Sequence, residues 1–492
     1  MFRLGFKRTH VGTCWDANAR QLRQLSRSSI TFAASAPKQR DGKKKIKLGI
    51  KKKAAAPSKP KRSGMTHLKF KDAVRALNFE KNAADISGSG IKPLSFDALK
   101  SQDSSVVKYD QYALQTLRAL DSFKKYQHHE LFSEPVSLVN SNTLEISKFL
   151  ENFDSSSKNN RLCLIGSKGI GKSTLLSQAK ALALSKFQKD VVLLHLDHTE
   201  KIVEGSSDYI FNKRLGKYQQ PMFTKRWIMK LREANKEVFE KMPLTRDVSF
   251  TSKKTEYNLK KNENSLYDFV LLNHDFGKVG PSTAFSFFIE ELVAHSKNIP
   301  VLVTIDNFNV ITSEPLTAYY HPNFTPIHVS EFEIGDFILN LASGKLSFSK
   351  GGVLLSESKD VADRHTLSVG LGITEYNPYW KVDECDVSIA ENLLDNGGVA
   401  PLKLKELSKA QTRTLMSFWK DVNVLQNRDY PLQEVFKSFE QIASEEVAKA
   451  AGANVEDHEF DPEVHFEKIV NHNFVRSAGN PGHLLKSVAL SY

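Results

Sequence analysis

Cysteine is scarce in this chain, three residues in 492. Cys14, Cys163 and Cys385 are spaced for neither a disulfide framework nor a zinc site. No stretch approaches the roughly 18 consecutive apolar residues that a membrane-spanning helix needs, so no such span is expected. No internal repeat is visible. Acids are scarce at one end only. Residues 1–71 hold 20 Lys/Arg against 2 Asp/Glu, or +18, whereas residues 72–492 hold 49 against 54, or −5. The net charge of +13 therefore belongs to the N-terminus and not to the body.

That basic end has two parts. Residues 1–35 carry Arg3, Lys7, Arg8, Arg20, Arg23 and Arg27 among Ser and Ala, with Asp16 as their one acid. They lack the apolar core of a secretory signal, and the composition reads as a mitochondrial transit peptide. Residues 36–65 form a basic arm, with Lys43-Lys44-Lys45, Lys51-Lys52-Lys53 and Lys59-Pro60-Lys61-Arg62 set among Ala, Pro and Gly. Such a tract cannot bury a core and is expected to stay disordered until it meets an anion. A phosphate backbone is the natural partner, because each neutralising lysine releases a condensed counterion. A nuclear localisation signal competes for the same lysines. The arginine-rich segment ahead of them favours the mitochondrial matrix and RNA.

What the body does have is a phosphate-binding loop. Gly166, Ser167, Lys168, Gly169, Ile170, Gly171, Lys172 and Ser173 fit G-x-x-x-x-G-K-[ST]. The apolar run Leu162–Ile165 before them has strand length. Thr174–Leu184 after them reads as a helix with Leu175, Leu176, Ala179, Leu182 and Ala183 on one face. Glycines let successive N–H groups turn around a phosphate, and the helix N-terminus attracts it through its dipole. Residues Gly166 to Thr174 are thus the expected nucleotide contacts, with Lys172 reaching the β and γ phosphates and Ser173 ligating Mg²⁺.

A second apolar run, Pro300–Ile305, ends in Asp306. A carboxylate at the end of a neighbouring buried strand can share Mg²⁺ with Ser173. The competing reading is an aspartate capping the next turn. Asn307 follows, and an amide can orient water but cannot take its proton. Ser356, ending an expected strand from Gly352, is either a polar sensor facing the γ-phosphate or an ordinary strand-end serine. The guanine-reading N-K-x-D motif is missing, since Asn212-Lys213-Arg214 ends in Leu215, so nothing separates GTP/GDP from ATP.

Alternating helical and β patterns from residue 130 predict an α/β fold. The expected plan has five parts: a transit peptide (1–35), the basic arm (36–65), an N-terminal extension (66–129), a P-loop nucleotide-binding core (130–370) and a mainly helical C-terminal lid domain (371–492). The extension contains a helix over Tyr112–Phe123. The core contains helices over Leu144–Phe153, Arg226–Met242 and Ala284–Ser296, a strand over Asp190–Leu196 and a surface insertion over Thr245–Asn264. In the last part, Ser408 to Gln411 forms a capping box, Tyr430–Glu445 reads as helix, and Asn480-Pro481 starts the final helix. That start resembles the G-x-P turn in the lid of AAA+ and STAND ATPases, where it lies against the nucleotide.

Taken together, the P-loop, Val301–Asn309 with its Asp-Asn-Phe-Asn ending, Gly351-Gly352 leading to Ser356, and Asn480-Pro481 resemble the mitochondrial small-subunit ribosomal proteins related to death-associated protein 3. The likeness runs from about Tyr126 to the end, and a fungal member would fit. It implies a P-loop NTPase fold of the AAA+/STAND-like kind, built into the head of the mitochondrial small ribosomal subunit near the intersubunit face. Small-subunit rRNA and neighbouring ribosomal proteins are its implied partners, and a guanine nucleotide its implied ligand. Asn307 stands where relatives often carry glycine. A structural ribosomal protein holding a nucleotide is the first expectation, with hydrolysis weak or absent. An active ATPase or GTPase that remodels nucleic acid or protein is the alternative. An apoptosis adaptor would rest on the family name alone.

Overall fold

A computed structural model describes residues 84–86, 90–124, 127–252, 255–272, 282–362, 364–381, 383–422, 424–425 and 462–488. The transit segment, the basic arm and the expected helix Tyr430–Glu445 lie outside the described residues.

Five parallel strands make the central sheet: Arg161–Ile165 (β1), Val192–Leu196 (β2), Val301–Ile305 (β3), Gly351–Ser356 (β4) and Ala400–Lys403 (β5). Their order is β5-β1-β4-β3-β2. Every residue of β2, β3 and β4 is buried. This is why those runs read as continuous apolar segments instead of alternating ones, as expected for a parallel sheet covered on both faces. The expected neighbour relation needs one correction, because β3 does not pair with β1. Strand β4 lies between them, with Leu355 level with Cys163 on one side and Ile305 on the other. The loop after β1, Ser356 and Asp306 therefore emerge at the same edge of the sheet, the carboxyl edge, where open α/β sheets bind ligands.

Helices flank the sheet: Gln111–Ala119 (α1), Ser141–Glu151 (α2), Lys172–Lys186 (α3), Pro221–Ala234 (α4), Ala284–His295 (α5), Glu333–Ala342 (α6) and Val387–Leu394 (α7). Helix α3 packs against β3 and β4, with α1 and α2 against its other sides. It is therefore buried nearly all round, from Leu175 to Leu184, and not on one face as the sequence suggests. Helix α1 stops short of Phe123 because Asp121 adopts φ 50°, and that turn redirects residues 121–124 toward the sheet's carboxyl edge. Helix α4 begins at Pro221 and breaks at Asn235. There the amide accepts from Leu193 N at 2.7 Å and donates to Leu193 O at 3.0 Å, fastening the break to β2. The expected insertion is an antiparallel hairpin, Val248–Ser252 with Thr255–Leu259.

Strand β5 lies beyond residue 370 yet completes the main sheet, so the sheet-bearing core continues past that boundary. It occupies an edge, where Pro401 can sit because its missing N–H faces no partner strand. The described part of the N-terminal extension is likewise no appendage. Leu94, Leu99, Val107, Leu117 and Leu120 are buried in the main core. A second core joins Lys409–Asp421 (α8), Pro462–Ser477 (α9) and Pro481–Val488 (α10) through Met416, Trp419, Phe466, Val470, Leu484 and Val488. The Ser408–Gln411 capping box forms at the start of α8.

Candidate functional site

The glycine loop runs from the end of β1 into α3. Gly171 is the residue before the helix, at φ 102°, and no side chain caps the helix start. The first-turn N–H groups of a helix have no intrahelical partner, so an uncapped start is a place for an anion. The space beside Gly171 is open, since a side chain there would meet nothing within 4 Å. Ser167, Lys168, Gly169 and Thr174 are exposed, whereas Ile170 is buried and anchors the loop in the core. Lys172 folds back, its ammonium donating to Gly166 O at 2.7 Å and Ser167 O at 2.9 Å. Burial lowers its pKa, partly offset by the nearby Glu357 carboxylate. Lys168 pairs with Asp360 at the mouth of the site.

Asp306 stands at the centre and is almost fully buried. Ser173 Oγ donates to its Oδ2 at 2.9 Å, while Ser356 Oγ and Asn307 N donate to its Oδ1. The structure thus brings Ser173, Asp306 and Ser356 together, although Asp306 comes from a strand one removed from the loop. Lys124 Nζ lies 2.6 Å from the same Oδ2 that Ser173 holds. Burial works against the Asp306 charge. The Lys124 ammonium and the serine hydroxyls outweigh it and keep the carboxyl below its ordinary range. Sequence reasoning missed Lys124, because it belongs to no motif and precedes the glycine loop by more than 40 residues.

The segment that carries Lys124 is tied down by salt and hydrogen bonds to elements under the site. Lys230 of α4 bridges Asp121 and Asp197 at 2.9 Å each. Lys180 of α3, fully buried, donates to Ser122 Oγ at 2.7 Å. Burial pushes the Lys180 pKa down to about 7, with Asp306 and Asp197 pulling it back. Asn307 takes φ 55° and donates its amide to Glu200, a carboxylate that sequence reasoning also missed.

The last helix closes the mouth. Asn480 caps α10, its Oδ1 accepting from Gly482 N at 3.0 Å and His483 N at 3.3 Å. Its Nδ2 donates to Lys168 O at 2.9 Å and Ser167 Oγ at 3.2 Å, and Gly482 N donates to Gly169 O at 2.9 Å. Gly169, at φ 85°, allows this approach, because a Cβ there would sit 2.9 Å from Asn480 Oδ1.

Residues 137–487 match the family model described as mitochondrial ribosomal death-associated protein 3. The chain belongs to that family. The match takes in the glycine loop, Asp306, Ser356 and Asn480, whereas Lys124 lies ahead of it. Among curated relatives, the small ribosomal subunit protein mS29 of Neurospora crassa is 24% identical over 442 residues, which is 83% of this chain and 89% of the relative. The protein of the same name from Schizosaccharomyces pombe is 25% identical over 354 residues, 70% of either chain.

The donor set can be tested against Mg²⁺. Among the described residues, no three His, Cys, Asp or Glu side chains converge to hold a metal alone. Ser173 and Asp306 supply two hard oxygens, which suits a magnesium ion whose remaining ligands are phosphate and water. Also among the described residues, no helix is long and apolar enough to cross a membrane.

Proposed function

We propose that the chain is a structural protein of the mitochondrial small ribosomal subunit that holds a purine nucleotide, GTP/GDP or ATP, within a P-loop NTPase fold and so supports mitochondrial translation. The ribosomal part rests on family membership and on the names of the two fungal relatives. The nucleotide part rests on one observation, the convergence of an uncapped α3 start, Lys172, Ser173 and Asp306 at the carboxyl edge of the sheet. Backbone N–H groups of Gly169 to Thr174 would cradle phosphate, and Lys172 would exchange its loop carbonyls for phosphate oxygens. Ser173 and Asp306 are the residues that would hold Mg²⁺ wherever it displaces the Lys124 ammonium from Asp306, and the ion would screen phosphate charge. Asn480, bonded to the loop from α10, would tie occupancy of the site to the C-terminal helices.

The alternative, an active NTPase, needs a group that accepts a proton from the attacking water. Asn307, the residue that follows Asp306, cannot, and the carboxylate beside it, Glu200, is held by the Asn307 amide. The reading therefore favours a retained ligand over turnover. The matrix is its compartment, with small-subunit rRNA and adjoining ribosomal proteins as partners. Mass spectrometry of nucleotide released from the purified native small subunit tests it. A stoichiometric guanine or adenine nucleotide that disappears in a Lys172→Ala strain is the expected result. A native subunit that contains the protein but releases no nucleotide beyond the Lys172→Ala background would overturn the nucleotide reading.

A further inference from the structure

We propose that Lys124 is a built-in cation of the site, standing on Asp306 where a divalent metal would stand, so that nucleotide is held without dependence on magnesium. The inference rests on the nucleotide reading above. Its geometry is direct. The Lys124 ammonium is 2.6 Å from Asp306 Oδ2, the oxygen that also accepts from Ser173, so it holds one of the two oxygens that would share the metal. Asp306 Oδ1 is occupied by Ser356 and Asn307 N. A metal entering here has to displace either the ammonium or a serine.

Nor is the ammonium a passing surface contact. Its side chain is 21% exposed against 4% for Asp306. The turn that carries it is held on both sides by Asp121 with Lys230 and by Ser122 with Lys180. Phe123 packs on Tyr109 at 5.8 Å and on His129 at 5.1 Å, fixing the same turn from outside. A displaced Lys124 would stay near Lys180, whose charge it already disfavours, so adding Mg²⁺ places two further positive charges beside that pair. Asp197 is engaged by Lys230, and one oxygen of Glu357 by Lys359. A lysine supplies up to three donors and a compact charge, enough to neutralise Asp306 and meet a phosphate oxygen.

The test is equilibrium binding of fluorescent GDP and ADP analogues to the full chain, in millimolar MgCl₂ and in excess EDTA. Wild type is expected to change affinity less than about threefold on chelation. In Lys124→Gln, EDTA is expected to weaken binding at least tenfold and Mg²⁺ to restore it, while Lys124→Arg stays resistant. Wild-type binding lost in EDTA overturns the proposal while leaving the nucleotide reading intact, and this arm decides even if Lys124→Gln folds poorly. Chelator-resistant binding in Lys124→Gln overturns the assignment to Lys124. Absence of binding under every condition overturns both the proposal and the nucleotide reading.

Discussion

Lys172 and Asn307 each stand at a position that matters in nucleotide-hydrolysing enzymes, the lysine of the glycine loop and the residue after the acidic strand, yet their surroundings give them different weights. Lys172 sits among backbone carbonyls that phosphate can replace. A ligand bound only by the folded state stabilises it by RT ln(1 + [L]/Kd), on the order of 3–4 kcal/mol when ligand exceeds Kd by a few hundredfold. Lys172→Ala is expected to remove most of that gain, abolishing nucleotide retention and lowering incorporation into the small subunit. Asn307→Ala is expected to leave mitochondrial protein synthesis nearly unchanged. Labelling of mitochondrial translation products in both strains checks the pair. A severe defect in Asn307→Ala with nucleotide still bound would restore the active NTPase.

Lys180 offers a separate prediction about pH. Its folded pKa of about 7 lies below the ordinary 10.5 because burial disfavours the charge. Between those values the unfolded chain binds a proton that the folded chain does not, so stability rises as pH climbs through that window. Below about pH 7 both states are protonated and the full cost of burying the ammonium is present. The slope from this group is at most about 1.4 kcal/mol per pH unit. Lys180→Met is expected to flatten the rise in thermal midpoint between about pH 7 and pH 9. An unchanged slope in the variant would show that other groups carry it.

At the scale of elements, α10 and the glycine loop are bound as one unit, and Asn480 does two jobs there. It caps the helix and donates to the loop. Asn480→Ala is expected to cost about 1 kcal/mol as a lost cap, plus the loop contacts. Gly482→Ala acts by shape alone, because its Cβ would lie 2.7 Å from Gly169 Cα and force the two backbones apart. Both variants are expected to raise hydrogen exchange in the loop and in α10 while β1 to β4 remain protected. Gly482→Ala should also weaken nucleotide retention. Exchange that rises across the whole sheet would mean global destabilisation instead of uncoupling.

For the whole molecule, the charge asymmetry is the leading property. The body is near neutral and slightly acidic, while residues 1–71 carry +18. Deleting residues 38–62 is expected to weaken binding to small-subunit rRNA and flatten its dependence on salt, since lysines spaced by Ala and Pro bind by counterion release without stacking. Filter binding across a salt series, with and without the tract, measures the slope. An equal slope in the two chains would assign the RNA contacts to the body.

Local pattern alone made the glycine loop legible, because a strand, a loop with fixed glycine spacing and a helix are contiguous and each obeys short-range rules. The same holds for Val301–Asp306, for the Ser408 capping box and for the Asn480 helix start. Strand order was not legible, since which parallel strands pair depends on crossovers that no local period encodes. So β4 came between β1 and β3, and β5 joined the core from beyond residue 370. The helix boundary at Asp121, set by one positive φ, was likewise hidden. Lys124 follows from that turn. A lysine in a polar stretch carries no signal of its own, and only the packing of α1 on α3 and α4 brings its charge to Asp306. The candidate phosphate loop and its acid were readable from short-range pattern, because each depends on near neighbours in the chain. Which cation faces that acid was set by folding, because a charge pair joining residues 124 and 306 exists only once the chain between them has folded.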